Sequence, residues 1–266
     1  MQSELTEAGL GFSGIYRGLR PRNENMLKKI WLIYVQGGVI SLLSKSFKLA
    51  FRVIKNASKT ISFKISSADT FSFNGQTLSY FRHTYNLAYE NERTVEVAIV
   101  SAFLKSLDKN SKILEVGNVL VNYGFSQNLH GVLDKYDSAP HVLNEDVVSF
   151  IPTQKYDAIV SISTLEHVGW DEEVRDPMKI ITAVKNLTDN CLSPGGCMLV
   201  TIPLGYNTYF DDQLANGANY FTEKYFLKRM SAKNEWLQVE YAQVAGAKFG
   251  HPFKNANAMC IGIVRA

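Results

Sequence analysis

The sequence predicts an α/β protein: a doubly wound, mostly parallel sheet with a C-terminal antiparallel edge pair, preceded by an N-terminal helical extension and a hairpin. Three observations carry this. Short apolar runs ending in glycine or an acid alternate with helical patterns between residues 94 and 205, which is the signature of parallel strands covered by helices on both faces. The last sixty residues instead hold two strand-like runs joined by a glycine-containing loop. The 266 residues, 46 % hydrophobic and 20 % charged, supply a sizeable core.

The elements follow in order. Phe71 to Phe73, Asn74-Gly75, and Gln76 to Phe81 read as a hairpin, because Asn-Gly suits a turn whose two central residues need positive φ. Tyr80 to Arg93 mixes aromatic and polar groups, fitting either a pocket wall or a surface connection. Apolar spacing predicts a helix over Thr94 to Leu107. Strands follow at Lys112–Gly117, Gly131–Asp134, His141–Leu143 and Tyr156–Ile162. A helix over Asp176 to Cys191 leads through Gly195-Gly196 to a fifth strand, Cys197–Ile202. Trp236–Val244 and Ala258–Val264 form the expected antiparallel pair.

The net charge of +3 conceals an asymmetry. Residues 25–68 contain eight basic residues and no acid, whereas residues 69–266 carry a net charge of −5. This divides the chain into a basic, partly amphipathic extension, 1–68, and a folded domain, 69–266, whose cofactor-binding half is 94–205. Within the extension Lys45, Lys48, Arg52 and Lys55 share one helical face, opposite Leu43, Phe47, Ala50, Phe51 and Ile54. Residues 27–55 therefore suit peripheral contact with an anionic membrane surface, and equally a helix packed on its own domain. No nucleic-acid motif accompanies the charge, so a nucleic-acid partner is not expected. The apolar run Ile30–Val35 is too short to span a bilayer, and the first twenty residues hold Glu4 and Glu7 and no apolar core of a secretory signal. Cys191, Cys197 and Cys260 form no Cys-x-x-Cys pair, which points away from a disulfide framework. The expected location is cytoplasmic, with contact at the inner face of the membrane if the extension binds there.

Ligands of open α/β sheets bind beyond the carboxyl ends of the strands, so residues there are the candidates. Glu115 and Gly117 end the first parallel strand. Asp134 ends the second, placed to accept hydrogen bonds from a ribose diol. Asp146 follows the third, where an acid can meet an adenine edge. Ser161, Ser163 and Leu165 follow the fourth. Taken singly, a strand-end Asp is as well explained as a helix cap. The ordered set is more specific.

Ile113-Leu114-Glu115-Val116-Gly117, Tyr156 to Ser161, Leu165-Glu166-His167-Val168 and Leu192-Ser193-Pro194-Gly195-Gly196 resemble, in order, the motifs of class I S-adenosylmethionine-dependent methyltransferases of the small-molecule branch. Asn91-Glu92-Arg93 and Leu204-Gly205-Tyr206-Asn207 also resemble methyltransferase-like proteins of surface-polysaccharide synthesis. The resemblance implies a Rossmann-like fold, S-adenosylmethionine as cofactor, and methyl transfer to a small-molecule, sugar or lipid-linked acceptor, at oxygen. It assigns Glu115 and Gly117 to the loop beneath the cofactor, Asp134 to the ribose, Asp146 to the adenine amine, and Ser161 and Leu165 to the wall beside the methionine moiety. It departs from the family where two further glycines are usual. Here Asn118-Val119-Leu120 follows Gly117, and Asn118 is expected to supply the left-handed turn.

For an oxygen nucleophile the chemistry calls for a base, and His167, just past the fourth strand, is the candidate. Tyr206 and Asn207 are expected in the acceptor pocket. Arg93 suits the cofactor carboxylate or an acidic acceptor, or else a pair with Glu96 one turn on. No cluster with metal-ligand spacing occurs, so no metal is expected. Two other readings compete: a methyltransferase-like binding module without catalysis, and an NAD- or nucleotide-sugar-dependent enzyme, which the missing Gly-x-Gly-x-x-Gly disfavours.

Overall fold

The computed structural model describes residues 69–125 and 129–266. The basic extension, its amphipathic pattern and the membrane contact expected of it therefore lie outside the described residues.

The described chain opens with the hairpin β1 (Thr70–Phe73) and β2 (Gln76–Ser79), paired antiparallel. Asn74 and Gly75 both take positive φ, 47° and 73°, as the Asn-Gly sequence predicts. Phe71 and Phe73 alternate inward and join the apolar cluster that holds Val95 and Ile99 of helix α1 (Arg93–Ser106).

The main sheet has seven strands. Four are parallel: β3 (Ile113–Val116), β4 (Gly131–Leu133), β5 (Tyr156–Ile162) and β6 (Leu192–Pro203). Three are antiparallel: β7 (Glu223–Arg229), β8 (Trp236–Val239) and β9 (Ala258–Arg265). The order is β4-β3-β5-β6-β9-β7-β8. Helices α2 (Lys179–Asn186) and α3 (Thr208–Ala215) pack through Ile180, Val184, Phe210 and Leu214 on one face, with Ile159 and Val200. On the other, α1 meets Val160, Ile162, Leu199 and Ile261. Consecutive residues of β5, Ile159 and Val160, thus serve opposite cores, which is why the strand reads as an unbroken apolar run.

Three expectations change. His141–Leu143 is not a strand. It is reduced to one parallel bridge between Leu143 and Leu133, because Asn144 Nδ2 donates to the Asp134 carbonyl and draws the segment into a loop. The helix expected from Asp176 begins at Lys179, because Asp176 turns the chain with its own side chain and donates its N–H to Gly169 O at 2.8 Å. It then passes into a π-helical turn, Leu187–Cys191. The C-terminal edge is not a pair: β7 lies between β8 and β9 and pairs with both. Its sequence, EKYFLKR, carries charges at both ends that mask a strand, although Phe226, Leu227 and Arg229 are buried.

Among the described residues no helix is long and apolar enough to cross a membrane. Cys191, Cys197 and Cys260 are free thiols, and burial pushes Cys191 up to about 11 and Cys260 up to about 12.

Candidate functional site

The carboxyl ends of β3 and β4 and the turn after β5 enclose a cleft of about 320 Å³. Val116, Leu133, Val147 and Val168 give it apolar walls. Asp134, Asp146, Thr164 and His167 bring polar groups to it. Three sequence-derived candidates, Asp134, Asp146 and His167, thus converge on one cavity: Asp134 follows β4, Asp146 lies in the loop between β4 and β5, and His167 ends the turn after β5.

Asp134 is held by its own loop. Its Oδ1 accepts the N–H groups of Tyr136 at 2.9 Å and Asp137 at 3.0 Å. Its Oδ2 makes no hydrogen bond among the described residues. Asp146 Oδ2 pairs with Lys135 Nζ at 2.8 Å, and its Oδ1 accepts Val148 N–H at 3.1 Å. Partial burial would raise the Asp146 carboxyl, but the bonds from Lys135 and Val148 outweigh it and hold the group below its ordinary value. Lys135 also reaches Glu172, which in turn pairs with Lys179.

Gly117 sits at φ +89°, and a Cβ built there would lie 2.2 Å from Thr164 Oγ1. The loop therefore requires glycine twice over, for its conformation and for the approach of the Thr164 side chain. The left-handed turn expected at Asn118 falls on Gly117 instead. Asn118 serves as a clamp: its Nδ2 donates to Asp137 Oδ2 at 2.8 Å, and its Oδ1 lies 3.2 Å from His141 Nε2. This ties the loop after β3 to the loop after β4.

Glu115, Ser161 and Leu165 stand behind the cleft rather than in its lining. Glu115 is fully buried, and its Oε1 accepts Val119 N–H at 3.0 Å and Leu120 N–H at 2.7 Å. Burial pushes its carboxyl up to about 7, against those two bonds. Ser161 Oγ donates to Val116 O at 3.1 Å and locks β5 to β3. Leu165 is fully buried at the start of the 3₁₀ turn Leu165–His167.

Arg93 and Asn207 do not line the cleft either. Arg93 pairs with Glu96, the alternative its i+3 spacing offered. Burial would lower the guanidinium, but Glu96, Glu92 and Glu166 around it raise it instead. Glu96 Oε1 accepts Ser163 Oγ and Thr201 Oγ1, which fixes Ser163 at its positive φ of 38° at the end of β5. Asn207 is the N-cap of α3: its Oδ1 accepts Phe210 N–H at 3.2 Å, and its Nδ2 donates to Glu166 O at 3.0 Å. Tyr206 lies outside the lining but packs edge-on against His167, ring centroids 4.8 Å apart.

The sequence reading missed Thr164, Lys135, Glu172 and Asp171. Only Asp171 had a legible signal, its i+4 spacing from His167. Among the described residues no group of three or more His, Cys, Asp and Glu side chains is arranged to hold a metal ion.

No protein-family model and no curated protein sequence matches the chain. Among solved structures it is similar to the N-methyltransferase NodS from Bradyrhizobium japonicum WM9 in complex with S-adenosyl-L-homocysteine, at 14 % identity and a TM-score of 0.42, over 65 % of this chain and 86 % of that one. It is also similar to a TehB-like SAM-dependent methyltransferase from Corynebacterium glutamicum, at 16 % identity and a TM-score of 0.39, over 64 % and 87 % of the two chains. A third is the sugar N-methyltransferase KedS8 from a Streptoalloteichus species, at 10 % identity and a TM-score of 0.36, over 75 % and 99 %. Likeness at this level says nothing of this chain's substrate.

Proposed function

We propose that the chain is an S-adenosylmethionine-dependent methyltransferase acting at oxygen on a small-molecule, sugar or lipid-linked acceptor. The observation that carries this reading is the convergence of Asp134, Asp146 and His167 on one cleft at the carboxyl edge of the parallel strands. The residues fit an adenosyl group. Asp134 keeps one oxygen for a ribose diol, Asp146 remains ionised beside the site for an adenine amine, and the valine and leucine walls suit the face of a purine. Gly117 leaves no side chain between the loop and Thr164. When bound, the cofactor supplies a methyl group activated by a sulfonium leaving group. The chain's own part is to orient an acceptor hydroxyl and remove its proton, and His167 is the base in this reading.

Thermal unfolding with S-adenosylmethionine, S-adenosylhomocysteine or NAD tests it. A ligand at about 100 times its Kd adds roughly 2.7 kcal/mol, which for a chain of this size raises the midpoint by roughly 5–10 °C. The expected result is a shift with both adenosyl compounds, none with NAD, and loss of the shift in Asp134→Ala. No shift with either adenosyl compound would end the reading.

A lipid-linked acceptor draws further support from the sequence of residues 25–68, whose eight uncompensated positive charges suit an anionic surface. The full chain should float with anionic liposomes at low salt and release as salt rises. Absence of flotation at low salt removes the membrane contact and leaves the cleft reading untouched.

A further inference from the structure

We propose that Asp171 is a positioning residue that fixes the tautomer of His167, with Tyr206 as the clamp that holds Asp171 in place. Asp171 Oδ2 is shared: His167 Nδ1 meets it on one side, and the Tyr206 hydroxyl donates to it at 2.6 Å on the other. Partial burial would raise the Asp171 carboxyl, but the bonds from Tyr206 and His167, with the charge of Arg175, hold it low, so it is ionised. Tyr206 moves the opposite way, upward, through burial and through that same bond, so its phenol keeps its proton.

An ionised carboxylate only accepts hydrogen bonds. Nδ1 of His167 must therefore carry the hydrogen it shares with Asp171, and in the neutral ring Nε2 is the nitrogen with the free lone pair. Nε2 lies 3.7 Å from Glu166 Oε1, beyond hydrogen-bond reach. Burial drives the Glu166 carboxyl well above its ordinary value, which disfavours its charged form. Tyr206 is itself braced edge-on by Phe249, ring centroids 5.2 Å apart. The titratable and charged groups facing the imidazole are therefore Glu166, Asp171, Tyr206 and, through Asp171, Arg175.

The arrangement has a base, an orienting carboxylate and a clamp, drawn from two segments. His167 ends the 3₁₀ turn after β5, Asp171 lies four residues on, and Tyr206 follows β6. His167 belongs to the cleft lining, while Asp171 and Tyr206 do not. The division of labour follows: His167 meets the ligand, and its partners decide which nitrogen is free. That the free nitrogen acts as a base in methyl transfer rests on the function proposed above, whereas the tautomer itself does not.

Long-range proton–nitrogen correlation spectra of the full ¹⁵N-labelled chain, recorded above the imidazole titration, read the tautomer directly. His167→Gln assigns the signal among the five histidines. The expected pattern is Nδ1–H for His167 in the wild type, lost in Asp171→Ala and weakened in Tyr206→Phe. The S-adenosylhomocysteine thermal shift should stay within about twofold in apparent Kd in both variants. An Nε2–H ring in the wild type, or an Nδ1–H ring that survives in Asp171→Ala, overturns the proposal. Asp171 is 45 % exposed, so its loss leaves the core intact. Asp171→Glu, which restores a carboxylate, should recover the Nδ1–H pattern, and failure to do so counts against positioning. Absence of any adenosyl shift in the wild type, with the tautomer as expected, would instead remove the cofactor reading alone.

Discussion

Gly117 shows how much one residue decides at this site. Its positive φ disfavours any L side chain, and the Thr164 hydroxyl occupies the space a Cβ would need. Gly117→Ala should destabilise the fold by about 1–3 kcal/mol and abolish adenosyl binding, as read by denaturant unfolding and by the thermal shift. An alanine variant of wild-type stability would show that the loop is not bound to this conformation. The same loop shows where a sequence reading goes astray. Asn118 was the natural candidate for a left-handed turn, because Asn tolerates that region better than most residues. Its side chain instead finds Asp137, a residue 19 positions away that only the pairing of β3 with β4 brings within 2.8 Å.

At the scale of the element, β9 joins the two halves of the sheet. It pairs with β6 on one side and β7 on the other, and all but its last residue are buried. Gly262 in its middle lies under the Phe221 ring, where an added Cβ would come within 2.7 Å of three ring carbons. Gly262→Ala should therefore cost about 1–3 kcal/mol through overpacking, and Phe221→Leu in the same chain should recover part of it. Urea unfolding of the two variants measures both. A neutral Gly262→Ala would show that Phe221 moves aside freely. The strand was legible in the sequence because its run Ala258–Val264 is continuously apolar. Its neighbour β7 was not, because Lys224, Lys228 and Arg229 are amphipathic. Their backbone completes the sheet while Lys224 reaches Ala218 O and Arg229 reaches the carbonyls of Ser231 and Lys254.

Across the whole molecule, buried carboxyls set the response to pH. Glu115 titrates near 7 in the folded chain, against 4.5 for the ordinary group, so the native state binds its proton more tightly than the unfolded state does. Its contribution is present in full below about pH 4.5 and is lost as pH rises through about 7, a fall of order 3 kcal/mol from this group. Glu166 is displaced in the same direction by its complete burial and adds a slope of the same sign. Glu115→Gln should flatten the stability profile between pH 4.5 and 7, whatever its constant offset. Denaturant midpoints at several pH values test this. An unchanged slope would mean that Glu115 is ionised in the folded chain.

The alternation of apolar strands and helices, the Asn-Gly hairpin and the positions of Asp134 and His167 just past parallel strands were determined by the sequence alone. They depend on periodicity and on residues that act within a few positions of themselves. The tertiary structure alone decided that β7 separates β8 from β9, that Asn207 Nδ2 donates to Glu166 O, and that Tyr206 joins His167 at Asp171. Each of these depends on groups far apart in the chain competing for the same partner. Burial raises the cost of leaving any of them unpaired, so the closest complementary group wins over the role its local sequence suggested.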